Sequence, residues 1–451
     1  MMKAYNLFIS LCIVLILPTL NGNTLENTTN SEDDFQVSDI EEKLWQEMEA
    51  RAEKTNREAY FTNPYEVSKN FTSIIAEDVE GHNNTRRSLK GKKAGLPCTA
   101  TNPIDRCWRC DPNWEKDRQK LATCVLGFGK NTIGGKGGEF YTVTDPSDDD
   151  IVNPKPGTLR YAVTRDRPLW IIFSRNMNIK LTQELLVSSD KTIDGRGVDV
   201  HISKGCGITI NYAQNVIIHG IKVYDIKPGV GGRIRYGEGE KTHIRTRSDG
   251  DGISIYASSN VWIDHVSMRN CTDGLIDAIR GSTAITISNC HFTDHNKVML
   301  FGANDFSPDD KIMQITVAFN HFGKRLVQRM PRCRFGFFHL VNNDYTHWEM
   351  YAIGGSMHPI IISEGNRFMA SNDSTAKEVT KRNGLVGLNL WQWKSINDEF
   401  INGAFFKESG PDLVLSHLFK PEDILKAIPG RFVSSLTEFA GALRCRYGRP
   451  C

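Results

Sequence analysis

The sequence predicts an all-β protein, a right-handed single-stranded parallel β-helix preceded by a short helical N-terminal extension. Three observations predict it. From about residue 95 the chain is built of short β-branched runs separated by Gly, Asn and Asp. Four segments there superpose without gaps: Val216–Val223, Val261–Met268, Ile285–Phe292 and Ile315–Phe322. Two more end in Asn343-Asp344-Tyr345 and Asn366-Arg367-Phe368. The residue two before each terminal apolar position is Ile221, Val266, Cys290, Asn320, Asn343 and Asn366, at spacings of 45, 24, 30, 23 and 23. A period in the low twenties, doubled once and stretched once by an insertion, matches coils of a parallel β-helix. Thirdly, Asn320, Asn343 and Asn366 would stack inside one bend, each amide bonding its neighbour and the turn backbone. An antiparallel sandwich or propeller would instead turn about every 8 to 12 residues.

The elements follow in chain order. Lys3 precedes an apolar run from Leu7 to Leu17, and Pro18 with small and polar residues leads to Gly22. Residues 1–22 therefore read as a secretory signal peptide, since the run falls short of the roughly 20 residues that span a bilayer. Residues 23–95 form a polar extension with one expected helix, started by a Ser38/Glu41 capping box ahead of Ile40, Leu44, Met48 and Ala52. Arg86, Arg87, Lys90, Lys92 and Lys93 then make either a solvated linker or a processing site. Residues 96–451 are assigned to the β-helix domain.

A formal net charge of +2 gives no reason to expect a nucleic acid or a membrane surface as partner. Without Cys12, in the leader, ten cysteines remain, an even number that suits disulfides and a secreted protein. The Cys107/Cys110 pair has no second pair at metal spacing, so bridges are the expectation there. Sequons at Asn27, Asn70, Asn83, Asn270 and Asn372 fit the same route. A capped β-helix needs no partner, and a monomer is expected.

The coil period brings distant polar residues together. Asp249, Asp273 and Lys297 are separated by 24 and 24 and should stack in one outer column. Asp251 shares a face with Asp249 if that segment is extended, and Asp277 lies four beyond Asp273. Four carboxylates this close repel one another unless a hard cation joins them, and oxygen ligands of this type suit Ca2+. The next coil carries Arg329-Met330-Pro331-Arg332-Cys333-Arg334, with Arg332 and Arg334 on one side when extended. Carboxylates, then Lys297, then arginines make a stripe able to hold a polyanion bridged through calcium.

These residues resemble the plant pectate lyases of polysaccharide lyase family 1, which include pollen allergens. The resemblance covers most of residues 95–451. It is densest at Val261-Trp262-Ile263-Asp264-His265, Cys271–Ala278, His295–Leu300, Val327–Arg334 and Asn342–Trp348. It implies calcium ligands at Asp249, Asp273 and Asp277 with Asp251 contributing, substrate carboxylate contacts from Lys297 and Arg334, and Arg329 as the catalytic base. It implies bridges Cys107 to Cys124, Cys271 to Cys290 and Cys445 to Cys451, leaving Cys98, Cys110, Cys206 and Cys333 unassigned. His265 reads as structural, because it adjoins the strand rather than the stripe. Val266, Cys290 and Asp294 depart from the usual family residues without touching a ligand position.

The implied activity is calcium-dependent β-elimination on polygalacturonate, the de-esterified pectin of the plant cell wall, giving 4,5-unsaturated ends. Arginine accepts a proton only when neutral, so an arginine base implies an alkaline optimum. A polygalacturonase would share substrate and fold but needs paired carboxylates and water. A pectin-binding protein without activity would keep the stripe, and only an assay separates it from the enzyme.

Overall fold

The coil repeat is realised as three parallel sheets. In the computed structural model, which describes residues 32–88, 98–384, 391–411 and 428–451, successive coils build a ten-stranded, a nine-stranded and an eight-stranded sheet, the end coils contributing to fewer of them. All their pairings are parallel. In the ten-stranded sheet Val216 pairs with Val261, Ile285, Ile315, Phe338 and Ile361 in succession. Those offsets are the 45, 24, 30, 23 and 23 of the sequence repeat. One expectation needs correcting: the 45-residue interval is a single coil, not two. Gln214–His219 pairs directly with Ser259–Asp264, and the extra length leaves the coil as an antiparallel hairpin of Gly232–Arg235 and Thr242–Arg245.

Alternation along each strand divides inside from outside. Val261 and Ile263 join the central core, while Trp262 points outward and is buried beneath an overlying segment. At the bends the expected amide ladder is present. Asn320 Nδ2 donates to Asn343 Oδ1 at 2.9 Å and Asn343 Nδ2 to Asn366 Oδ1 at 3.0 Å. The same amides donate to the carbonyls of Ile287, Val317 and Leu340. Beside it Phe292, Phe322, Tyr345, Phe368 and Phe400 form a stack with centroids 4.6–5.6 Å apart.

The extension is more extensive than the capping box suggested. Helix α1, Glu32–Ala59, starts before Ser38, so that residue lies within the helix instead of capping it. From Glu41 onward α1 belongs to the compact unit of residues 41–451. There Trp45 stacks on His243 at 3.7 Å and meets Tyr212 and Tyr236 edge-on. A second helix, α2 (Pro64–Ser88), was not anticipated, although Asn63 accepts from Glu66 N and Pro64 occupies the first turn. Its Val67, Phe71 and Ile75 are spaced for one face and are buried. Phe71 lies against Phe319 and His339, and Thr72 Oγ1 donates to Glu364 at 2.7 Å. The leader, Cys12, Asn27, Lys90, Lys92 and Lys93 lie outside the described residues. Among the described residues no helix is long and apolar enough to cross a membrane.

The ten-stranded sheet is covered by the chain segment that precedes it. Phe128 N, Gly129 N and Gly135 N donate to the hydroxyls of Thr316, Thr286 and Thr192, so the segment crosses the strands pinned to threonines. The approach is close: a Cβ on Gly135 would lie 1.9 Å from the Leu169 carbonyl oxygen.

Disulfides Cys107–Cys124 and Cys445–Cys451 are present, and Cys98 pairs with Cys110. The implied Cys271–Cys290 bridge is absent, both thiols being free and buried. Register explains this. Ser267 pairs with His291, which puts Cys290 level with Val266, at the opposite end of the strand from Cys271. A disulfide tolerates a Cα separation of about 7 Å, roughly two residues of extended strand.

The Trp262-Ile263-Asp264-His265 motif ties both chain ends to the coil. Helix α3, Pro103–Arg109, carries Asp105, whose Oδ1 lies 2.7 Å from His265 Nε2. His265 Nδ1 lies 2.9 Å from the Gly441 carbonyl. Both partners are acceptors, so both ring nitrogens donate and the ring is an imidazolium. Burial alone would lower the His265 pKa, but Asp105 and Asp264 hold it above its ordinary value. Burial likewise opposes ionised Asp105, yet His265 and Arg109 keep its pKa below the ordinary value. A raised histidine stabilises fully below its unfolded pKa and loses that contribution as pH rises through the folded value. A depressed aspartate stabilises above its unfolded pKa and loses it as pH falls through the folded one. The pair therefore contributes most between about pH 4 and 6.5. Asp105→Asn should remove about 3 kcal/mol at pH 6, and the difference in melting temperature from wild type should shrink as pH is raised; a difference unchanged into alkaline pH would contradict the imidazolium.

Candidate active site

The site lies on the eight-stranded sheet, where Ile253–Tyr256, Ile276–Ile279, Met299–Phe301 and Arg332–Arg334 are successive strands. Ser254 pairs with Asp277, Asp277 with Leu300 and Leu300 with Arg332, so the coil length on this sheet is 23 before the insertion. Asp249 and Asp251 precede the first of these strands, and Asp273 precedes the second. Gly250 has φ +93°, so this segment is not extended. The turn separates its two aspartates: Asp249 is exposed, whereas Asp251 turns toward the next coil. There the Asp251 carboxylate accepts from Gly274 N at 2.8 Å.

Asp277 is buried, and its Oδ1 accepts from Leu300 N at 3.1 Å. Burial first, then Asp273 and Asp249, push Asp251 up to about 7, against the Gly274 amide and Lys297. Burial, Asp251 and Asp273 likewise raise Asp277 well above the carboxylate range, with Arg329 opposing them. Asp251 thus feels Asp249 and Asp273, and Asp277 feels Asp251 and Asp273. Among the described residues, no three acidic, histidine or cysteine side chains close on a common point. Asp249 is exposed, Asp251 and Asp273 are half-buried and Asp277 is buried, with Asp273 engaged by Lys297 Nζ at 2.7 Å.

The cations come from the following coils. Lys297 ends strand His295–Lys297, which pairs with Leu326–Gln328, and Arg329 follows directly. Arg329 has φ +65°, and its Nε is buried with no hydrogen-bond partner among the described residues. Arg332 and Arg334 share the outer face around inward Cys333, as alternation predicts. Arg334 is held: its Nε donates to Asp305 at 2.9 Å and its Nη1 to the Gly302 carbonyl at 2.8 Å.

Two contributors were not read from the sequence. His295 Nε2 donates to the Asp273 carbonyl at 2.6 Å, fixing the loop that carries Asp273. It stands two before Lys297 on one strand, a spacing that could have revealed it. Asp305 sits in the insertion, and no spacing rule connects it with Arg334.

Fold and site together define a parallel β-helix protein with aspartates, a lysine and arginines gathered on successive coils. The chain belongs to the pectate lyase family, and its class is that of a polysaccharide lyase. The family model described as pectate lyase matches residues 176–387, and that described as pectate lyase, N terminus, matches 39–89. A pectate lyase of Lilium longiflorum is 56% identical over 412 residues, 91% of this chain and 94% of that one. A pectate lyase of Nicotiana tabacum is 58% identical over 378 residues, covering 82% and 94%. The crystal structure of jun a 1, the major allergen from cedar pollen, superposes with a TM-score of 0.72 at 49% identity, covering 76% of this chain and 99% of that one.

Gly274 is the position on which the acidic cluster depends sterically. A Cβ there would lie 2.2 Å from Asp277 Oδ1 and 2.6 Å from its Cγ. Gly274→Ala should displace that carboxyl and lower kcat/KM about 100-fold while leaving the fold intact by circular dichroism; wild-type activity would show that Asp277 is not held where the chemistry needs it.

Proposed function

We propose that the chain is a secreted, calcium-dependent pectate lyase that cleaves polygalacturonate by β-elimination, with Arg329 as base. The observation that carries this is the juxtaposition of carboxyls on two coils with Lys297 on the third and Arg329 and Arg334 on the fourth. Asp249, Asp251, Asp273 and Asp277 would hold Ca2+. Hard carboxylate oxygens suit this ion, and an open set leaves positions for water and substrate carboxylate. Asp251 and Asp277, both raised by burial and by neighbouring carboxylates, fit a cation in the same way, since it would relieve that repulsion. Bound there, calcium would neutralise the uronate carboxylate and acidify the adjacent C5 proton.

The remaining work falls to protein groups. Lys297 and Arg334 donate to substrate carboxylates and fix the sugar so that C5–H faces Arg329. Arg329 takes the C5 proton, the C–H electron pair becomes the C4–C5 double bond, and the C4–O4 bond breaks with its electron pair leaving on O4, which takes a proton from water. The products are a 4,5-unsaturated sugar end and a new reducing end. Three disulfides suit passage through an oxidising compartment. Exposed Asn70, Asn270 and Asn372 suit glycosylation on that route. We assign residues 1–22 to the leader, 23–95 to the extension and 96–451 to the catalytic domain, acting as a monomer in the cell wall.

Purified protein on polygalacturonate at alkaline pH should give a rise in ultraviolet absorbance from the conjugated product. A chelator should abolish it and added calcium restore it. Arg329→Ala should cut the rate by about 100- to 10,000-fold with the protein still folded. New reducing ends without the absorbance rise would mean hydrolysis, and no cleavage at all would mean a binding protein.

A further inference from the structure

The insertion that stretches one coil interval to 30 residues builds a loop next to Arg334. This loop is braced from inside by Asp310, which is fully buried and accepts from Gly281 N at 2.8 Å and Ala303 N at 3.2 Å. Asn304 Oδ1 caps the turn by accepting from Phe306 N, and Thr283 Oγ1 donates to the Ile312 carbonyl. The loop presents Asp305. Its Oδ1 accepts from Arg334 Nε at 2.9 Å and from Ser356 Oγ at 2.6 Å. Ser356 is the register partner of Arg334 on the next coil, so one carboxylate oxygen joins two coils and the loop.

We propose that Asp305 is a positioning residue for substrate binding: it holds the Arg334 guanidinium so that Nη2 meets a uronate carboxylate. The proposal rests on the reading of Arg334 as a substrate donor. Arg334 Nε and Nη1 are both engaged, which leaves Nη2 as the nitrogen without a partner among the described residues. A long side chain fixed at two nitrogens has surrendered its rotamer freedom before substrate arrives, which lowers the cost of binding. The Asp305 carboxylate is also in the charge state this needs. Burial opposes ionisation, yet Ser356 and Arg334 hold its pKa below the ordinary range. Asp305 touches neither the acidic cluster nor Arg329, so its effect should fall on binding rather than on proton transfer.

The full chain carries the test. Asp305→Ala should raise KM for polygalacturonate about 10-fold with kcat within about twofold of wild type. Asp305→Asn keeps an acceptor for both partners and should restore most of the affinity. Asp309→Asn removes the same charge from the exposed part of the same loop and should behave as wild type. In an Arg334→Ala background, Asp305→Ala should add nothing, because its effect runs through that guanidinium. The proposal is overturned if Asp305→Ala leaves KM unchanged or lowers it, the latter meaning that Asp305 competes with substrate for Arg334. It is equally overturned if the full effect persists in the Arg334→Ala background. Should Arg334→Ala itself leave KM unchanged, the reading of Arg334 as a substrate donor fails first and Asp305 loses its role with it. If Asp305→Ala does not fold, Ser356→Ala frees one side of the same carboxylate and carries the same cycle.

Discussion

Everything in this molecule follows from the parallel pairing of one coil with the next. Backbone hydrogen bonds set neighbouring coils about 4.8 Å apart, so each side chain is forced against the residue one coil away, whatever its chemistry. Where the residues are amides, the result is the Asn320–Asn343–Asn366 ladder. Aromatic residues give the stack from Phe292 to Phe400. At the acidic positions the same rule sets Asp251 against Asp273 and Asp277. The first two arrangements stabilise the coil, and the third costs stability. One geometric rule thus produces both the scaffold and the strain of the site.

That strain explains the division of labour among the sheets. The ten-stranded sheet is roofed by α2, α3 and the segment pinned to its threonines, with Trp170 and Trp262 buried beneath. Chain ends meet there through His265, Asp105 and Gly441. Beside the eight-stranded sheet Asp249 is exposed, and Asp273 and Lys297, the latter on the short ladder with Leu326–Gln328, are partly so. Burying the remaining hydrogen-bonding capacity on one face secures the coil firmly enough for another face to carry unsatisfied charge. Arg329 Nε, buried with no partner among the described residues, belongs to this second face.

How much of this could be read beforehand depended on whether a feature repeats. The bend residues Cys290, Asn320, Asn343 and Asn366 recur at coil spacing, and their spacing and residue type both named the ladder. The acidic column was legible for the same reason, although the actual period on its sheet is 23 and Gly250 turns Asp249 away from Asp251. What occurs once was not legible. The 45-residue interval admits two coils or one coil with an excursion, and only the direct pairing of Val216 with Val261 decides. Helix α2 is held by Phe319, His339 and Glu364, hundreds of residues away, and its own cap is too weak a signal to announce it. The Cys271–Cys290 pairing came from resemblance and failed on register, which resemblance does not contain.

Insertions are where a repeating scaffold departs from its own rule, and this chain places one at either edge of the eight-stranded sheet, ahead of Ile253–Tyr256 and after Met299–Phe301. The hairpin in the 45-residue coil carries Arg233, Arg245 and His243 and receives α1 through Glu41 and Trp45. The loop in the 30-residue coil carries Asp305 to Arg334. Coils alone can stack only what the period repeats, so they supply cations and carboxylates in columns and orient them only through neighbours in register, as Gly274 N and Leu300 N do. Residues brought in from outside the register, such as Asp305, are free of that constraint. The repeat therefore assembles the charge, and the breaks in the repeat aim it.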